Sequence, residues 1–243
     1  MPDLVAIFSQ FGMTCRSAPE PLGALGGLSG AQFWRLQHGA QRLLLRRWPP
    51  GVVEARLSEI HQAIAYASAR GLSFLPTPFT AADGRSFVAA AGSLWEVAPW
   101  LPGDPALSTQ PSDHQQRTAL AALARLHLAL QDLPSRPATV GKPNSLQQRS
   151  VLVHEALAAQ WLREGSLRAR EQYVPQDTAS RLSAAVRKWL PIAADALSRV
   201  EVAALPLHTI VGDARAEHFL FTGEELTGLV DFGALRFDSP MLD

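Results

Sequence analysis

With 243 residues, the chain has room for one large domain or for two lobes about a cleft, and either buries a sizeable core. Its 22 basic and 22 acidic residues cancel, so no overall field draws nucleic acid or an anionic membrane. A single cysteine, Cys15, excludes internal disulfides and Cys-rich zinc sites and suits a reducing cytosol, and no run nears the ~20 apolar residues of a membrane span.

Hydrophobic residues make up 47% and charged residues 18%, the balance of a folded protein. The opening MPDLVAIFSQFGMTCR has no basic region before its short apolar stretch, so no signal peptide is read and a cytoplasmic protein is expected. Glycines punctuate the next stretch: Leu25-Gly26-Gly27-Leu28-Ser29-Gly30, then Phe33 to Leu36, a turn at His38-Gly39-Ala40, and Leu43 to Trp48. That pattern predicts a strand meander whose first turn, at Gly26, Gly27 and Gly30, lets backbone amides approach a phosphate or simply closes a hairpin. Pro49-Pro50-Gly51 ends the last strand. Val53 to Arg70 reads as a helix with Leu57, Ile60 and Ile64 on one face, closed by Gly71. Phe74 to Ala91 is Pro-rich, then strand-like, with a turn at Asp83-Gly84, and Ser93 to Pro99 reads as a strand stopped by prolines.

The second half is mostly helical. Ser112 is placed to cap a helix to about Gln131, with Leu123 and His127 at helical spacing. After a Pro/Gly connection, helices are expected over Leu146 to about Arg163 and Thr178 to about Val200; Arg163, Arg168 and Arg170 read as a solvated face. The densest chemistry follows. Ile210-Val211 leads into Gly212-Asp213, Phe219 to Phe221 is apolar, Thr222 to Glu225 reads as a hairpin turn, and Leu226 to Val230 as the returning strand before Asp231-Phe232-Gly233. Antiparallel pairing brings His218 beside Asp231, with Asp213 next to them on the loop. Two carboxylates and an imidazole at one end of a small sheet suit divalent-metal and proton chemistry.

At Val211-Gly212-Asp213, His218 and Asp231-Phe232-Gly233 the sequence resembles the aminoglycoside phosphotransferase family of kinase-like enzymes, which includes choline-kinase relatives. The family pattern is His-Gly-Asp, an Asn five residues after the Asp, and an Asp thirteen further on, and the spacing here is the same. The resemblance implies an α+β, two-lobed protein-kinase-like fold, with residues 1–98 as the nucleotide-binding lobe and 99–243 as the catalytic lobe. It implies that Asp213 is the catalytic base, that Asp231 and His218 hold Mg²⁺ or Mn²⁺, and that Gly27, Ser29, Gly30 and Arg46 contact nucleotide phosphates. It further places the adenine edge on the backbone of Glu96, Val97 and Ala98, and makes Glu59 the nearest candidate for an ion-pair partner of Arg46, although the apolar phase of its helix equally leaves it in solvent.

This chain departs from the family at three positions. Arg46 stands for a lysine, His218 for an asparagine, and Val211 for the histidine that braces the catalytic loop, which leaves His208 or Arg215 to do the bracing. His218 ligates the metal, acts through a water or hydrogen-bonds Asp213; as a nitrogen donor it suits Mn²⁺ better than Mg²⁺. Asp243 matches the family's Asp-Leu-Ala aspartate, where relatives continue into helices over the acceptor side, so the catalytic lobe is expected to be incomplete. The implied activity is transfer of the γ-phosphate of ATP or GTP to a hydroxyl of a small molecule. The rival is a pseudokinase or nucleotide-binding scaffold acting by interaction. No nucleic-acid or membrane partner is expected, and the acceptor and the oligomeric state are not readable.

Overall fold

The structure, a computed structural model, describes residues 3–14, 18–24, 30–108, 110–159, 176–200 and 204–243. Cys15, Gly27, Ser29, Arg163, Arg168 and Arg170 lie outside the described residues. The chain forms two compact units, one of residues 1–137, 209–236 and 243, the other of residues 138–208 and 237–242.

In the first unit, five antiparallel strands stand in the order β1-β2-β3-β5-β4: β1 (Glu20–Gly23), β2 (Gln32–His38), β3 (Gln41–Arg47), β4 (Val88–Ala90) and β5 (Ser93–Pro99). Alternation along the strands sorts side chains between two cores. Trp34, Leu36, Leu43, Leu45, Trp95 and Val97 bury with Ile7, Phe8 and Phe11, which follow from the short helix α1 (Leu4–Ser9) capped by Asp3. The other phase of β5 sends Leu94 and Glu96 to the face packed by α2 (Glu54–Ser68). There Leu57, Ile60 and Ile64 sit in the larger core as their spacing predicts, each burial contributing about 1.5–3 kcal/mol. Of the strand-like stretch before Ala91 only Val88–Ala90 pairs as a strand, while Phe79 donates its N–H to the Val97 carbonyl at 2.8 Å.

Helix α3 (Asp113–Gln131) starts where Ser112 predicts. The Ser112 hydroxyl accepts from the Gln115 N–H at 3.1 Å and the Gln115 side chain returns the bond at 3.0 Å. The same two residues grip a hairpin of β8 (Phe219–Thr222) and β9 (Glu225–Leu229): Ser112 Oγ donates to Glu224 at 2.7 Å and Gln115 Nε2 to the Gly223 carbonyl at 2.8 Å. A second anchor comes from the segment after β5, where Asp104 and Phe221 exchange two backbone bonds. Gly103, at φ +102°, allows this approach, because a Cβ there would run into Thr227 and the Phe221 backbone. Both anchors lie near the turn; at the open end Leu229 donates its N–H to the Phe74 carbonyl at 2.9 Å.

The second unit pairs β6 (Thr139–Gly141) with β7 (Leu205–Ile210) in a three-stranded sheet ordered β10-β7-β6, β10 being Arg236–Asp238. Helices α4 (Asn144–Ala158) and α5 (Gln176–Val200) pack on one another. Buried Asp238 accepts from the backbone N–H of Ser145 and of Ser239. Among the described residues, no helix is long and apolar enough to cross a membrane.

Candidate active site

The loop that carries Asp213 is held by its backbone. Val211 is buried, and Gly212 turns at φ +83°, where a Cβ would collide with the Ala234 carbonyl and the Arg236 side chain. The fully buried Asp243 carboxylate accepts from the N–H groups of Val211 at 2.8 Å and Gly212 at 2.7 Å, and lies 3.0 Å from His127 Nε2. Arg236 donates to the Gly212 carbonyl at 2.6 Å. Asp243 and Arg236 thus supply a brace where one was expected of His208 or Arg215, and Arg215 is an exposed partner of Glu217. Orphan amides in a tight turn need acceptors wherever the chain can bring them, and here the acceptor comes from over thirty residues away.

His218 and Asp231 meet as the hairpin pairing predicts. Val230 donates its N–H to the His218 carbonyl at 3.0 Å, and His218 Nε2 ends 3.8 Å from Asp231 Oδ2. The other ring nitrogen, Nδ1, lies 2.9 Å from the Asp213 carbonyl. A carbonyl only accepts, so Nδ1 carries the proton, and a neutral ring then turns the Nε2 lone pair towards Asp231. A bond from Nδ1 to a backbone carbonyl fixes the tautomer and the orientation of the ring. Asp231 itself stands at φ +62°, ψ +70°, a left-handed conformation that aspartate tolerates better than most residues, and its side chain accepts from the Gly233 N–H at 3.4 Å. Its carboxylate is half exposed. Asp213 is exposed, and its carboxylate has no hydrogen bond or ion pair among the described residues. No cluster of three or more His, Cys, Asp or Glu able to hold a metal gathers among the described residues.

Arg46 reaches the same place from β3. Its guanidinium lies over the Trp48 ring, 3.7 Å from the centroid, with Phe33 at 5.3 Å, a stack that a lysine would not make as a planar group. It sits between two carboxylates, 4.0 Å from Glu96 Oε1 and 3.8 Å from Asp231 Oδ1, and its Nε is buried without an acceptor. Glu59 is not the partner. It is exposed on α2 and pairs with Arg56 at 3.5 Å, one turn away on its own helix, because the apolar phase of α2 turns it to solvent.

Glu96, Val97 and Ala98, the residues expected at the adenine edge, are strand residues. They lie inside β5, with Glu96 and Ala98 opposite Arg46 and Leu44, and the Val97 carbonyl is bonded to Phe79. The Glu96 side chain is a buried hub. Its Oε2 accepts from the Trp48 indole at 2.8 Å and lies 2.6 Å from His61 Nε2 on α2, whose Nδ1 is 2.7 Å from Ser86 Oγ. Burial pushes the Glu96 carboxyl up, but the hydrogen bond and charge of His61, with Arg46 and Trp48, outweigh it and hold it below its ordinary value. A depressed folded value means stability that is present above the ordinary glutamate range and is lost as pH falls from that range through the lower folded value. Urea unfolding followed across the acid range should show this loss, with a flatter pH slope in Glu96→Gln; an equal slope in both proteins would contradict it.

No curated protein matches the sequence. Among solved structures, the spectinomycin phosphotransferase APH(9)-Ia in complex with ADP and spectinomycin is 13% identical, with a TM-score of 0.66 over 99% of this chain and 70% of that one. An aminoglycoside phosphotransferase from Alicyclobacillus acidocaldarius is 17% identical, with a TM-score of 0.63 over 100% of this chain and 69% of that one. The macrolide 2'-phosphotransferase MphH from Brachybacterium faecium is 19% identical, with a TM-score of 0.57 over 99% and 74%. At such identities the likeness establishes the fold, which is α+β and protein-kinase-like as expected. The phosphotransferase enzyme family, APH, matches residues 22–243, and with that span matched the chain belongs to this family.

Proposed function

We propose that this enzyme moves the γ-phosphoryl group of ATP or GTP onto a hydroxyl of a small molecule in the cytoplasm. Residues 1–98 would serve as the nucleotide lobe and 99–243 as the catalytic lobe. The observation that carries the reading is the meeting of His218 Nε2, Asp231 and Arg46 within 4 Å steps of one another, beside the braced Asp213 loop. Solved relatives bound to AMP, to ADP with spectinomycin and to GDP with kanamycin support a nucleotide and a hydroxyl-bearing acceptor here.

In this reading Asp213 orients the acceptor hydroxyl and takes its proton as the new O–P bond forms and the bond to the β-phosphate oxygen breaks. Arg46, together with Gly27, Ser29 and Gly30, would hold phosphate oxygens. Asp231 and His218 would hold Mg²⁺ or Mn²⁺, a donor set of one carboxylate and one imidazole that leaves the remaining positions to phosphate and water. The bound cation would neutralise charge developing on the phosphates.

A thermal-shift titration tests the reading. ATP or GTP with Mg²⁺ or Mn²⁺ should raise the melting temperature, by mass action on the folded state. Radiolabelled transfer from [γ-³²P]ATP to a panel of aminoglycosides, macrolides and simple alcohols should then find the acceptor. A shift with no transfer would favour a second reading, a nucleotide-binding scaffold; Arg46 lying against Asp231 is the feature on its side. No shift with either nucleotide and either metal would sink both.

A further inference from the structure

Arg46 stands almost midway between two carboxylates that are not alike. Glu96 is buried and fixed by Trp48 and by His61, itself buried on α2 and anchored to Ser86. Asp231 is half exposed, and its one hydrogen bond among the described residues is the 3.4 Å contact with Gly233. Of the two, Glu96 is the one the fold fixes, and the guanidinium is within hydrogen-bond distance of neither. Were it to close on Asp231 instead, the carboxylate that faces His218 would be neutralised, and no cation could compete for it on equal terms.

We propose that Glu96 and His61 form a positioning pair that keeps Arg46, 3.8 Å from Asp231, from closing on it to hydrogen-bond distance, so that a cation can still compete for Asp231. The inference rests on the phosphotransferase reading above and names two residues which that reading does not use. Neither touches the reacting atoms. Both act through Arg46, His61 by fixing Glu96 and Glu96 by holding the guanidinium. Because His61 belongs to α2 and Glu96 to β5, the pair also links the seating of the helix to the orientation of Arg46. The cross-strand register makes this possible: Arg46 and Glu96 are direct partners on β3 and β5, and the face they share is the one α2 covers.

The pair predicts a metal effect that acts through Arg46. With ATP held constant, Mg²⁺ is titrated and the midpoint of the rise in melting temperature is read. Glu96→Gln should raise that midpoint about tenfold, as the freed guanidinium turns to Asp231, and His61→Phe should raise it about threefold by loosening Glu96. In an Arg46→Met background, where no guanidinium competes, adding Glu96→Gln should leave the midpoint unchanged. A near-UV circular dichroism spectrum of each apoprotein confirms folding, and His61→Phe carries the test if Glu96→Gln does not fold. A folded Glu96→Gln with the wild-type midpoint would overturn the pair, as would an equal rise with and without Arg46. If the wild-type protein itself gave no shift, the nucleotide reading would fall and the pair with it; a wild-type shift with unmoved variants sinks the pair alone.

Discussion

Asp213→Asn should reduce phosphoryl transfer about 10²–10⁴-fold, the range general-base catalysis contributes, while the melting temperature stays at the wild-type value. The two halves of this expectation have separate causes. The carboxylate is exposed and bonds to nothing among the described residues, so removing its charge costs the fold little. What the loop needs from residue 213 is its backbone, since its carbonyl receives His218 Nδ1 and the neighbouring amides are held by Asp243. Asparagine keeps that backbone and the side-chain shape but cannot accept a proton. The loss should fall on kcat, with the KM for nucleotide unchanged, because Arg46 and Asp231 are untouched. Single-turnover transfer to the acceptor used by the wild-type chain is the measurement, and a variant with the full rate would remove Asp213 from the mechanism.

Asp243→Ala should destabilise the first unit by about 2–4 kcal/mol, because it leaves the N–H groups of Val211 and Gly212 without their acceptor. The carboxylate is fully buried and meets Val211, Gly212 and His127 together, so no single neighbour can replace it. The left-handed turn at Gly212 packs so closely against Ala234 and Arg236 that no side chain fits there. Asp243→Asn should cost less, since one amide oxygen still accepts while the amide nitrogen faces a donor. Urea midpoints of the three proteins order these effects, and an alanine variant with the wild-type midpoint would show that the loop is held by something else. Both variants should also lose transfer, because Asp213 rides on the loop.

Local pattern carried much of the fold. The Ser112–Gln115 capping box, the apolar phase of α2 and the turn at Thr222 to Glu225 are short-range signals, and each element stands within a few residues of where those signals put it. The hairpin also made part of the site legible, because antiparallel pairing across one turn leaves little choice about which residues meet: His218 and Asp231 had to be neighbours. The same reasoning failed for the partner of Arg46. From the sequence, Glu59 was a helix residue at a plausible distance and Glu96 one of three strand residues offered to a base. Their roles separated only when β3 paired with β5, some fifty residues further along the chain, and set Glu96 opposite Arg46 on the face that α2 covers.

What the sequence by itself determined is therefore the set of elements, the family spacing and the His218–Asp231 meeting, all consequences of periodicity and of a two-strand turn. What only the tertiary structure decided is which buried donors and acceptors complete the site: Glu96 and His61 behind Arg46, and Asp243 with Arg236 behind the Asp213 loop. The physical reason is that a buried polar group must find a partner but does not specify it by its place in the chain. Sheet order and helix packing choose that partner from residues that have no short-range relation to it.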